Sequence, residues 1–139
     1  MRYGSGVTPP PEPRRPLRVH VGAEVRIEED GSEASLVLTG VNARILRTLA
    51  AALAGGAPWD RVAGDVWPQE AVVRTRARQL PYVTWTDADE ARLRARLGAA
   101  IVDLRAVFFQ FCGEGLVAEH DGVVTLTLQP GDTVEGATS

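Results

Sequence analysis

The sequence has no lysine: all fifteen of its basic side chains are arginine, set against eighteen acids for a net charge of −3. A bias that uniform belongs to the whole composition, so the choice of arginine over lysine nominates no single site. There is one cysteine, Cys112, which excludes an internal disulfide framework. Its place beside Phe108 and Phe111 reads as a small core residue. The two histidines, His20 and His120, fall in a strand and at a hairpin tip, with no C-x-x-C or H-x-x-x-H spacing. No Walker A loop, G-x-G-x-x-G or nucleophile elbow is present, and Gly4 and Gly6 lie in the leader. Asp87, Asp89 and Glu90 are expected at a helix start without any cation. The sequence is therefore read as having no catalytic residues, no metal site and no cofactor. No run approaches the roughly 18 apolar residues of a membrane span, and no signal-peptide apolar region follows the first residues. A cytoplasmic protein without a membrane partner is the expectation.

Hydrophobic residues make up 45% and charged residues 24% of the 139, ordinary values for a soluble domain with its own core. Residues 1–16 hold five prolines and little to bury, and are read as a disordered arm. Residues 17–129 form the domain, and residues 130–139 are read as a disordered acidic tail. Alternation from Leu17 to Ile27, turn chemistry at Glu29–Ser32 and the run Ser35–Leu38 give three short antiparallel strands. Thr39 is a candidate N-cap for a helix burying Val41, Ile45, Leu46, Leu49 and Leu53, which Gly55 and Gly56 end. Pro58 opens a second, short helix with Val62, Val66 and Trp67 on its apolar side, and Pro68 stops it. Residues 69–86 read as an irregular connection in which Ala71–Val73 make at most a short helical turn.

The longest periodic stretch is 87–111. Leu93, Leu97, Ala100, Ile101, Leu104, Phe108 and Phe111 recur at steps of three and four, the signature of a helix with one buried stripe. Thr86 or Asp87 caps it, and Gly113 and Gly115 end it. Two β runs, Leu116–Glu119 and Val123–Leu128, flank Asp121–Gly122, a strong hairpin signal.

This order resembles the winged-helix effector domain of OmpR-type response regulators and of the antibiotic-regulatory-protein activators. The resemblance covers roughly residues 17–128 and is carried by Leu38-Thr39, by Val62 with Val66-Trp67, by Ile101 with Leu104-Arg105, and by Gly122. It implies an α+β winged helix-turn-helix with an N-terminal antiparallel sheet, three helices and a C-terminal hairpin wing. It also implies a DNA-binding transcriptional regulator that reads duplex DNA with the 87–111 helix, with dimerisation adding affinity. Most matching positions are core positions, so the resemblance speaks more to fold than to function.

Residues 71–96 carry six arginines against three acids, whereas 97–139 carry one against six. On the DNA reading, Arg92, Arg94, Arg96 and Arg105 meet the major groove and Arg74, Arg76 and Arg78 meet phosphates. Arg94 lies about half a turn from Arg92 and Arg96, so the three do not form one stripe. The alternative is a protein-interaction adaptor or inhibitor that does not bind DNA. In the resembled family the connection before the recognition helix can touch RNA polymerase, which makes the transcription machinery one candidate partner. Tyr82, Trp85, Asp103, Phe109, Glu119 and Asp121 are the candidate contacts: aromatics off the core stripe, and acids where the resembled family carries basic residues. DNA binding requires Arg92, Arg94 and Arg96 on one accessible surface with the acidic wing turned away. An adaptor requires an exposed apolar patch around Phe109, Tyr82 or Trp85.

Overall fold

The computed structural model describes residues 14–136. Alternating apolar residues set the first layer. Strands β1 (Leu17–Val21), β2 (Val25–Glu29) and β3 (Ser35–Leu38) form an antiparallel meander. Opposed pairs such as Val19 with Ile27 and Val25 with Leu38 turn one face inward. Helix α1 (Gly40–Ala50) follows. Thr39 holds the N-cap position in extended backbone, but its side chain makes no capping bond. Ile45, Leu46 and Leu49 are buried as expected, whereas Val41 and Leu53 stay exposed. Val41 lies in the first turn, and Leu53 follows the last helical residue, so the helical period no longer aims it at the core.

Gly56 adopts φ +77°, and a Cβ there would lie 2.6 Å from both the Val124 carbonyl oxygen and Thr125 Cγ2. Only glycine lets the chain pass this close to the hairpin. Strand β4 (Ala57–Pro58) then pairs with the hairpin, and helix α2 (Trp59–Val66) buries Val62, Ala63 and Val66.

The stretch expected to be irregular holds a further helix, α3 (Pro68–Ala77). Pro68 does not merely stop α2: it occupies the first turn of α3, where a missing N–H costs nothing. The count among the described residues is therefore four helices and not three. α3 escaped notice because it has no apolar stripe, and none of its residues is fully buried.

Helix α4 (Asp87–Cys112) spans 26 residues, about 39 Å at 1.5 Å per residue. The Thr86 hydroxyl accepts from the Asp89 N–H at 3.1 Å, and the Asp89 carboxylate accepts from the Thr86 N–H at 2.9 Å. This reciprocal box fixes the start of the helix, and Gly113 at φ +81° closes its end. Leu93, Leu97, Ile101, Leu104 and Phe108 enter the single core shared with α1, α2 and the first sheet. Strands β5 (Val117–His120) and β6 (Val123–Leu126) form the hairpin across Asp121 and Gly122, both at positive φ.

The ends are corrected. Residues 130–136 are not a disordered tail: strand β7 (Thr133–Glu135) adds to the first sheet, parallel to β1, giving the order β3-β2-β1-β7. Residues 14–16, assigned to the arm, are held at the same place; the rest of the expected arm and tail, residues 1–13 and 137–139, lies outside the described residues. Asp132 is the clasp. Its carboxylate accepts from Arg14 Nη1 at 2.8 Å and Nη2 at 2.6 Å, and from the N–H groups of Leu17 at 2.8 Å and Gln129 at 2.9 Å. The two side chains are 0% and 6% exposed. Sequence patterning missed β7 because its apolar content is one valine, and its place is set by this ion pair.

Burial alone would raise the Asp132 carboxyl, but Arg14 and the two backbone donors hold it below the ordinary carboxylate range. The clasp therefore stabilises the fold above the unfolded-state value of about 3.9 and loses that contribution as pH falls through the lower folded value. Asp132→Ala leaves the buried Arg14 guanidinium with Glu114 alone at its Nε, and the N–H groups of Leu17 and Gln129 without their acceptor, and should cost about 3–5 kcal/mol at pH 7 by urea unfolding. The gap from wild type should narrow as pH falls through the lowered folded-state value of Asp132.

Candidate interaction surface

The buried stripe of α4 decides where every other side chain of that helix points. Arg74, placed on α3, reaches back to the start of α4 instead of into solvent. Its Nε and Nη2 donate to Glu90 at 2.6 and 2.8 Å, and its Nη1 donates to Asp60 at 3.1 Å. The Arg74 side chain is 17% exposed. The hydrogen bond from Arg74 is the main cause holding the Glu90 carboxyl below its usual range, opposed by burial and helped by Trp85. Trp85 donates its indole N–H to the same carboxylate at 3.0 Å and packs against the core. Trp85 is thereby removed from the exposed contact candidates.

Arg92 and Arg94 diverge. Arg92 lies 3.4 Å from both Glu70 and Asp89. Arg94 lies 3.3 Å from Glu119 of the hairpin, with its guanidinium 5.5 Å from the Trp59 ring centre. Arg96 turns the other way and lies 4.2 Å over the Trp67 ring. Arg105 donates to the Val117 carbonyl, tying the helix to the hairpin, and lies over Phe109. Arg76 and Arg78 are exposed and pair with no carboxylate among the described residues. The seven arginines thus do not converge on one surface. The acidic hairpin is turned toward α4, with Glu119 on Arg94, and Asp121 stands at the tip beside His120 at 3.2 Å.

What α4 presents outward along its C-terminal half is nearly uncharged. Gly98, Ala99, Val102, Ala106, Phe109 and Gln110 are exposed there, with Asp103 the one exposed charge between Arg96 and the helix end. Val102 is 65% and Phe109 52% exposed. Between this face and the hairpin lies a hollow of about 300 Å³, bordered by Trp59, Gly98, Val102 and Glu119. Tyr82, 79% exposed, precedes the other end of α4, some 33 Å along the helix from Phe109 at 1.5 Å per residue. Tyr82 and Phe109 are therefore separate features. Val102 was legible only as an apolar residue standing where the resembled family carries a polar one. Val72 and Val73, also exposed, gave no signal because the helix bearing them has no stripe to deviate from.

Comparison with protein-family models, with curated proteins and with solved structures returns no match. The surface must therefore be judged by its chemistry. Among the described residues no three His, Cys, Asp or Glu side chains gather as a cation site, and no helix is long and apolar enough to cross a membrane. What this surface can do is bury apolar area against another macromolecule.

Arg74 serves the fold in this arrangement. Arg74→Ala leaves the Glu90 carboxylate with the Trp85 indole as its one side-chain donor and should lower stability by about 1–3 kcal/mol in urea unfolding. Arg78→Ala, which breaks no ion pair and touches Glu90 only through the charge of an exposed side chain, should change it by less than about 0.5 kcal/mol.

Proposed function

We propose that this chain is a winged-helix module that acts by binding another protein, and that the outward face of α4 is its contact surface. The order of a small sheet, helices, a long helix and a closing hairpin supports the winged-helix assignment. The observation that carries the function is the Val102–Phe109 face. A helix that reads bases needs donors and acceptors where it meets the groove, and this one offers valine, alanine and phenylalanine. A carboxylate with no arginine partner among the described residues also stands at each approach to a duplex: Asp87 in the first turn of α4 and Asp121 at the hairpin tip. Phosphates would be repelled at both. Aromatic and aliphatic side chains ringed by polar groups are what protein interfaces bury at their centres.

A second reading, duplex-DNA binding by a transcriptional regulator, is favoured by one observation. Arg76, Arg78 and Arg96 pair with no carboxylate among the described residues, leaving three charges for phosphate. The two readings separate in a pair of measurements. With random-sequence duplex DNA at low salt, binding should be no tighter than the weak end of non-specific association, a Kd of about 10⁻⁴ M. A photo-reactive phenylalanine analogue at position 109 should form a discrete protein adduct that Val102→Glu abolishes. Tight binding to DNA that weakens steeply with salt, and again in an Arg76/Arg78/Arg96→Ala variant, overturns the adaptor reading.

A further inference from the structure

A hollow of about 690 Å³ lies on the other flank of α4, away from Phe109. That is within the range of sites that enclose a ligand or a large side chain. Its floor is apolar: Val66, Trp67 and Val73, at the junction of α2 and α3. Its rims are cationic, with Arg44 from α1 on one side and Arg96 from α4 on the other. Arg44 spends one donor on the Val66 carbonyl at 2.8 Å, and Arg96 lies over Trp67; neither meets a carboxylate among the described residues. The one acid at the rim, Glu70, is already paired with Arg92. Arg76 follows one turn after Val73 on α3, outside the lining of the hollow, and Val72 and Val73 are both partly open to solvent.

We propose that this groove binds an acidic amphipathic segment of a partner protein. One large apolar side chain would enter over Trp67 and Val73, and flanking carboxylates would meet Arg44 and Arg96. The charge pattern selects the occupant. An apolar floor with uncompensated guanidinium groups above it favours a helix with an apolar stripe and acidic shoulders, the groove-binding mode of amphipathic helices. Arginine's planar fork suits such carboxylates. A duplex fits less well, because it has no apolar projection to fill the hollow. The chain's own segment 1–13 carries one acid, Glu12, and one base, Arg2, and so lacks the required acidity. The groove lies on the opposite flank of α4 from Phe109, and this inference stands whether or not that face binds a partner.

The test uses a fluorescein-labelled peptide with leucine and phenylalanine on one helical face and glutamate elsewhere, read by anisotropy with the full chain. Beside it run a peptide with the same glutamates but alanine on that face, and random-sequence duplex DNA. Arg96→Glu and Val73→Asp, each checked for an unchanged thermal melt, should weaken the amphipathic peptide about tenfold or more. Phe109→Ser should leave it unchanged. Binding to the alanine-faced peptide should be at least about tenfold weaker than to the amphipathic one. Val73→Asp alters only an exposed side chain, so it decides the matter if Arg96→Glu disturbs the fold. The proposal is overturned by absence of binding to the amphipathic peptide, by equal binding of both peptides, or by variants that bind like wild type. It is also overturned, in favour of a nucleic-acid groove, if DNA binds more tightly than the peptide and the same variants abolish that binding.

Discussion

The insertion of one stripe of α4 into the core is the constraint on which the rest of the molecule depends. Leu93, Leu97, Ile101, Leu104 and Phe108 recur at steps of four and three, and together they meet residues from α1, α2 and the first sheet. A helix anchored at five points along about 23 Å of its length has no rotational freedom left. Once the stripe is inside, Arg94 has to face the hairpin, Arg96 has to face Trp67, and Val102 and Phe109 have to face solvent. What α4 shows to solvent is thus a consequence of core packing.

Two polar arrangements refine that frame. At the start of α4, Glu90 gathers Arg74 and Trp85, pinning α3 and the connection after it to a helix they otherwise touch little. At the far side, Asp132 gathers Arg14 and two backbone donors, and so joins residues 118 positions apart in the chain. Both carboxylates are held in their charged form by an adjacent guanidinium, and both turn arginines to structural use. In a chain whose only basic side chain besides histidine is arginine, this matters for function. The pairings at Arg14, Arg74, Arg92 and Arg94 are internal, and the local positive balance in the sequence overstates the charge offered to a partner. Among the described residues Arg44, Arg47, Arg61, Arg76, Arg78, Arg96 and Arg105 meet no carboxylate, and of these Arg44 and Arg96 flank the hollow at the α2–α3 junction.

The two surfaces described are therefore complementary in chemistry. The Val102–Phe109 face is apolar and nearly neutral, suited to burial against another apolar face. The groove over Trp67 combines an apolar floor with cationic rims, suited to an acidic segment. They lie on different flanks of one rigid helix, which allows a module of this size to hold two partners or two parts of one.

Wherever burial enforces a period, the elements could be read from the residues. The three-strand meander, α1, α2, α4 and the hairpin all follow from alternation, from steps of three and four, or from Asp121–Gly122. The α4 stripe in particular appears in the structure almost residue for residue. Sequence by itself could not supply α3 or β7, because neither is held by a stripe: α3 fully buries none of its residues, and β7 is fixed by an ion pair between segments far apart in the chain. Nor could it say which arginines are free. Charge counts along the chain are local, whereas pairing of Arg74 with Glu90 or Arg94 with Glu119 depends on which helix faces which carboxylate. Only the tertiary structure decides that, because an ion pair forms across space and leaves no periodic mark in the sequence.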